Sequence, residues 1–213
     1  MTNPKLSILV CTMNQRVDLF KRIDKKIKMQ LTDEVEYLVN CDNGEMTVGS
    51  KREVLKRQAK GDYIVYVDDD DVISRYYVRN VLEAIKQGSI IPGGVDAIGL
   101  KGFQTTDLID LKYFECSSKY RKWNEKRGEL IVKPINHINP IKREIALKAK
   151  FPDLYYGEDK FYSESIKPYL VTEVLADGWL YWYDYRPAGS QSVAMDIKDR
   201  NKGLKLLHAA GFD

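Results

Sequence analysis

The first half of the chain alternates short apolar runs with amphipathic stretches. Leu6–Cys11, Val35–Val39 and Tyr63–Val67 are rich in β-branched and aromatic residues and read as buried strands. Between them, Val17–Gln30 places Phe20, Ile23 and Ile27 on one helical face. Ser50–Lys60 reads as a second helix, stopped by Gly61 at the usual place for a C-terminal glycine. Ser74 is the expected N-cap of a third helix through Gln87, with Val78, Val81, Leu82 and Ile85 facing inward. Strand and helix in alternation predict a parallel sheet with right-handed crossovers.

The pattern changes after Pro92. Val95–Leu100, Leu108–Phe114 and Glu129–Val132 read as strands without full helices between them. Pro140–Lys150 and Gly157–Ile166 read as helices, Leu170–Leu175 and Trp179–Tyr185 as strands, and a basic helix is expected from about Asp196 to Ala210. No internal repeat or low-complexity linker divides the chain. The expected fold is α/β: one compact domain with a Rossmann-type, doubly wound mixed sheet and helices on both faces.

Each strand of the first half ends in polar chemistry: Thr12-Met-Asn14-Gln-Arg16, then Asp42-Asn43-Gly44, then Asp68-Asp69-Asp70-Asp71. In a parallel sheet these ends share one edge, where open α/β sheets bind ligands. Adjacent carboxylates repel, so the acidic run favours a hard divalent cation carrying phosphates. Asp, Asn and Arg side chains there can read a nucleobase and ribose. No glycine-rich phosphate loop is present, which leaves a diphosphate to the metal and to cations such as Lys51.

Composition adds little to this. The chain has 213 residues, a hydrophobic fraction of 44% and a net charge of +3, which suits one soluble globular domain and does not by itself argue for a polyanionic partner. No apolar run approaches the roughly 20 residues that span a bilayer, and no signal pattern opens the chain, so a cytoplasmic location is expected. Cys11, Cys41 and Cys116 lack metal-like spacing and read as reduced thiols. Lys119, Arg121, Lys122, Lys126 and Arg127 crowd around Tyr120 and Trp123. That stretch reads either as a solvated hairpin or as a surface for nucleic acid or a phosphorylated acceptor.

In this order, Ser7-Ile-Leu-Val-Cys-Thr-Met-Asn-Gln-Arg16, Asn40-Cys-Asp-Asn-Gly44, Lys51-Arg52, Gly61-Asp-Tyr-Ile-Val-Tyr-Val-Asp-Asp-Asp-Asp71 and Gly157-Glu-Asp159 resemble the motifs of family 2 glycosyltransferases of the GT-A fold. The resemblance implies a metal-dependent, inverting transfer of a sugar from a nucleotide-sugar, typically a UDP-sugar, to an acceptor hydroxyl. It implies donor contacts from Thr12, Asn14, Arg16, Asp42, Lys51, Asp68 and Asp69, and an Mn²⁺ or Mg²⁺ ion on Asp70 and Asp68. Asp159 would be the catalytic base, with Glu158 shaping the site beside it. His137, Trp123 and Arg186 are acceptor candidates, and the acceptor itself is a saccharide or a hydroxymethylated DNA base. Residues 1–92 would then bind the donor and 93–213 the acceptor. Taken alone, Asp42 equally forms an Asx turn, Glu158 and Asp159 equally offset a helix dipole, and His137 equally caps a turn. Two other functions fit parts of the chain. One is a haloacid-dehalogenase-like phosphatase using Asp68 and Asp70; the other is a nucleic-acid-binding module on residues 119–127.

Overall fold

The computed structural model describes residues 3–106, 109–185, 208–209 and 211–212. The elements are β1 (Leu6–Met13), α1 (Val17–Lys28), β2 (Val35–Asp42), α2 (Val48–Gln58), β3 (Tyr63–Tyr66), β4 (Val72–Ile73) and α3 (Tyr77–Gly88). Then follow β5 (Ala97–Thr106), β6 (Ile109–Cys116), β7 (Glu125–Arg127), β8 (Leu130–Lys133), β9 (Ile141–Lys142), α4 (Arg143–Ala146), α5 (Glu158–Ile166), β10 (Glu173–Leu175) and β11 (Tyr181–Tyr185).

The sheet runs β2-β1-β3-β9-β5-β6-β8-β7. β1 pairs in parallel with both β2 and β3. The short β9 joins β3 to β5 in antiparallel pairing, and β10 and β11 both lie parallel to β5. Alternate residues of β1 enter opposite layers. Leu6, Ile8 and Val10 pack with Ile23 and Ile27 of α1 and with Val78 and Val81 of α3. Leu9 packs with Leu55 of α2 and, through Ile64, Tyr66 and Phe151, with Tyr162 and Ile166 of α5. Helices therefore cover both faces of a mixed sheet, as the strand–helix alternation predicts.

Several local expectations are corrected. The stretch Pro140–Lys150 holds only the two residues of β9 and the single turn of α4, because β9 is drawn into the sheet between β3 and β5. Gly61 does not end α2 in a left-handed cap: Ala59 closes the helix in an extended conformation. A Cβ on Gly61 would stand 2.6 Å from the Ser7 amide nitrogen, so the glycine serves the approach to β1. Ser74 lies two residues before the α3 cap, Tyr76, whose amide donates to the Ser74 hydroxyl at 3.2 Å. Most of the expected C-terminal helix, Asp196–Ala210, lies outside the described residues.

Gly49 fixes the position of the later half against the earlier one. Its amide donates to Leu154 O at 3.1 Å, and a Cβ there would lie 1.9 Å from Pro152 O. Asp153 accepts from Thr47 Oγ1 at 2.6 Å and from Ser50 Oγ at 2.7 Å. The start of α2 is thereby clipped to the segment that leads into α5.

Candidate active site

The end of β1, the start of α2, the acidic run after β3 and the start of α5 surround a crevice of about 820 Å³. A groove of about 1040 Å³ lies at the opposite edge, by Lys5, Asp62, Arg79 and Lys142, away from the acidic run.

Asp42 sits at the end of β2. Its carboxylate accepts from the amides of Gly44 at 3.0 Å and Met46 at 2.8 Å and is ion-paired with Lys51. Burial works against its ionisation, but Lys51 and the two amides outweigh it and hold the carboxyl below its ordinary range. Lys51 also donates to Thr12 O at 2.7 Å, tying β1 to β2. Asn14 lies beside them, donating to Asn43 Oδ1 at 2.7 Å.

The four acids after β3 have separate environments. Asp69 is buried and accepts from Thr12 Oγ1 at 2.7 Å and from Arg16 Nη2 at 2.6 Å. Arg16 also reaches Asp70 Oδ2 at 2.9 Å. Asp71 is buried and accepts from the Tyr181 hydroxyl at 2.6 Å. Burial, together with Asp70 and Asp68, pushes the Asp71 carboxyl well above its ordinary value. Burial and the charges of Asp68 and Asp69 also raise Asp70, against the pull of Arg16.

Asp68 is the junction of the site. Its Oδ1 accepts from Arg52 Nη2 at 2.7 Å, and its Oδ2 lies 3.1 Å from His137 Nε2. Burial opposes ionisation, yet Arg52 and His137 hold this carboxyl well below the usual range. Arg52 is itself buried over the rings of Tyr66 and Phe151, and its Nη1 stands 3.3 Å from Glu158 Oε1. Burial and the neighbouring Asp159 raise Glu158, against Arg52 and His137.

His137 occupies the loop after β8, and residues 131–140 are all buried. Asn136 and Asn139 supply that loop with hydrogen bonds: Asn139 Oδ1 takes the Asn136 amide at 3.1 Å, and Asn139 Nδ2 donates to Ile98 O at 3.0 Å. The His137 carbonyl accepts from the Tyr66 amide at 3.0 Å, so the loop is anchored to the end of β3. With Nε2 on Asp68, the ring directs Nδ1 toward Asp159 Oδ2, 3.9 Å away. Asp159 follows Gly157, at φ 80°, in the first turn of α5, and its Oδ1 accepts from the Lys160 amide at 2.8 Å. Its side chain is 31% exposed, open to the crevice.

Thr12, Arg16, Lys51, Asp68–Asp71, Trp123, His137, Glu158 and Asp159 thus line one crevice, with Asp42 bound to Lys51 at its edge. Arg186 lies outside the described residues. The basic stretch does not form one free surface. Lys119 is paired with Glu115 and Arg127 with Glu125, while Trp123 and Lys126 face the crevice. The sequence reading assigned no role to Arg52, Tyr181 or Lys133. For Arg52 the signal was present, one residue from Lys51 on the helix that follows the second strand.

Among the described residues, no group of three His, Cys, Asp or Glu side chains is placed to hold a metal. The residues do fit a cation held by one or two carboxylates with phosphate and water completing its shell, a usual arrangement for Mg²⁺. Asp70 offers a partly exposed carboxylate where neighbouring negative charge exceeds what Arg16 offsets.

The profile described as Glycosyl transferase family 2 matches residues 29–146, more than half of the chain. The chain belongs to this family. Its fold is shared by crystal structures of TarS from S. aureus. The 1–349 fragment in complex with UDP-GlcNAc is 12% identical, with a TM-score of 0.58 over 97% of this chain and 66% of that one. The fragment in complex with UDP is 14% identical, with a TM-score of 0.56 over 86% and 61%. A further TarS structure is 13% identical, with a TM-score of 0.57 over 85% of this chain but 37% of that one. The chain thus spans well under half the length of that TarS chain. No curated protein sequence matches it significantly. Among the described residues no helix is long and apolar enough to cross a membrane.

Proposed function

We propose that this protein transfers a glycosyl unit from a nucleoside diphosphate sugar to an acceptor hydroxyl by a single inverting displacement. The observation that carries this reading is the placement of a partly exposed carboxylate, Asp159, across one crevice from Asp68 and Asp70, with His137 between them. Asp159 would take the proton of the attacking hydroxyl, as a general base must within hydrogen-bond reach of it. Glu158 and Arg52 would hold the first turn of α5 in register with Asp68.

Residues 1–92 would bind the donor, with Thr12, Asn14, Arg16, Asp42, Lys51 and Asp68 around the nucleotide and Asp69 fixing Arg16. Asp70, with Asp68 beside it, would hold Mn²⁺ or Mg²⁺, which when bound supplies positive charge to the departing diphosphate. The TarS complexes make a uridine nucleotide the first donor to test. Residues 93–213 would bind the acceptor, with Trp123 on the crevice wall and His137 at its floor.

The phosphatase reading is disfavoured by the match of residues 29–146, which include Asp68 and Asp70, to the glycosyltransferase family. The nucleic-acid reading is weakened by the local pairing of Lys119 and Arg127. The deciding experiment is a thermal-shift screen of UDP-, GDP-, TDP- and CDP-sugars with and without Mn²⁺, followed by product analysis. Stabilisation by uridine nucleotides with metal is expected. No response to any nucleotide would refute the reading.

A further inference from the structure

Lys133, the last residue of β8, is a buried cation with no ion pair among the described residues: burial lowers its pKa, outweighing the attraction of Asp71 and Asp159 from beyond pairing distance. It is 9% exposed, and its ammonium stands 5.0 Å from the ring centroids of both Phe114 and Tyr183. Among the described residues its side chain makes no hydrogen bond or ion pair. The other buried cations are matched: Lys51 with Asp42, Lys56 with Glu53, and Arg52 with Asp68 and Glu158. Cation–π contact returns about 0.5–2 kcal/mol. Leaving a charge buried and unpaired costs several kcal/mol. An ammonium on a crevice wall with no hydrogen bond or ion pair of its own is therefore a receptor for negative charge.

Its surroundings are also incompletely paired. Gln104 Oε1 and Trp123 Nε1 are buried without hydrogen-bond partners, and both residues line the crevice with Lys133. The strand register shifts between Gln104 and Thr106, an irregularity of the kind that re-aims a side chain beside a site. Tyr155 and Tyr156, 58% and 82% exposed, stand on the rim before Asp159. One cation, one unpaired donor and one unpaired acceptor thus belong to residues that line the same crevice, with aromatic rings at its edge. All of them come from the half of the chain after β5 begins.

We propose that Lys133, with Trp123 and Gln104, forms an acceptor subsite for an anionic oxygen group, a carboxylate or phosphate carried near the hydroxyl that Asp159 would deprotonate. This rests on the glycosyltransferase reading above for the role of Asp159, but the anion site itself is testable without turnover. Lys133 and the Trp123 indole N–H would donate to the anion, and Gln104 Oε1 would accept from a neighbouring hydroxyl.

The test is calorimetric titration of the full chain, with UDP and Mn²⁺ present, using methyl β-glucuronide, glucose 6-phosphate and the neutral methyl β-glucoside. At least one anionic probe is expected to bind about tenfold or more tightly than the neutral one, the factor a charge-assisted hydrogen bond supplies. Lys133→Met should abolish that preference, Trp123→Phe should reduce it, and UDP affinity should stay unchanged in both. The fluorescence-independent Trp123→Phe arm keeps the test decisive should Lys133→Met not fold. Equal binding of charged and neutral probes by the wild type would overturn the proposal, as would a preference that survives Lys133→Met. Weakened UDP binding in Lys133→Met would overturn it too, by assigning the lysine to the donor. A Lys133-dependent anion preference in a protein that does not bind UDP would uphold the subsite and refute the donor reading instead.

Discussion

Arg52 donates to Asp68 at 2.7 Å from a guanidinium that is almost wholly buried. The same group stands 3.3 Å from Glu158, so one residue of α2 ties the acidic run after β3 to the first turn of α5. Removing it would leave Glu158 and Asp68 without their cation. Arg52→Met is expected to lower stability by about 3–5 kcal/mol, the range for breaking a buried pair from one side. Urea denaturation at neutral pH measures this. A loss below about 1 kcal/mol, the size of a surface pair, would show that the network does not hold the two segments together.

Asp159→Asn keeps the shape of the side chain and removes its basicity. Transfer is expected to fall by about 10²–10⁴-fold, the usual contribution of a positioned general base. Nucleotide affinity should be unchanged, since the proposed role puts Asp159 at the acceptor and not at the nucleotide. Initial rates and a UDP titration separate the two effects. A variant that retains most of its rate would exclude Asp159 as the base.

Metal removal should act through Asp70. With UDP at 100 times its Kd, the wild type should gain about 2.7 kcal/mol of stability when metal is present. Chelation by EDTA should remove the metal-dependent part of that gain, and Asp70→Asn should not show it at all. Full metal-dependent stabilisation of Asp70→Asn would move the cation elsewhere.

Glu53 gives a pH test remote from the crevice. Burial opposes its ionisation, but Lys56 at 2.7 Å, the Phe151 amide at 3.2 Å and Arg57 at 2.9 Å lower its pKa. A carboxyl whose folded pKa lies below its unfolded value, about 4.3, stabilises the fold above that value and loses the contribution as pH falls toward the folded pKa. The stability gap between wild type and Glu53→Gln should therefore be widest near neutral pH and narrow below about pH 4. A gap that is constant with pH would mean that Glu53 acts by packing rather than charge.

Residues 6–88 were legible because each element follows a local rule. Apolar runs of strand length and amphipathic stretches of helical period locate β1, α1, β2, α2, β3 and α3 within a few residues, but not the two-residue β4, which exists only through its pairing with β11. The candidate site was legible where its residues sit at strand ends, since a parallel sheet brings those ends to one edge. Pro140–Lys150 misled because its helical pattern is local, whereas the pairing of Ile141 with Ile64 and Ala97 is not. His137 carries no signal of its partners, which lie 69 residues before it and 22 after it.

The sequence by itself determined the alternation of strand and helix, the edge on which Thr12, Asp42 and Asp68 meet, and the excess of negative charge there. These depend on residue type and short-range spacing. Only the tertiary structure decided how that charge is distributed: Asp69 to Arg16, Asp68 to Arg52 and His137, Asp71 to Tyr181, and Asp70 left partly open. Only it showed that Lys133, though attracted by Asp71 and Asp159, is ion-paired with neither. Pairing energies depend on distance and on exclusion of water, and both are set by contacts between residues far apart in the chain.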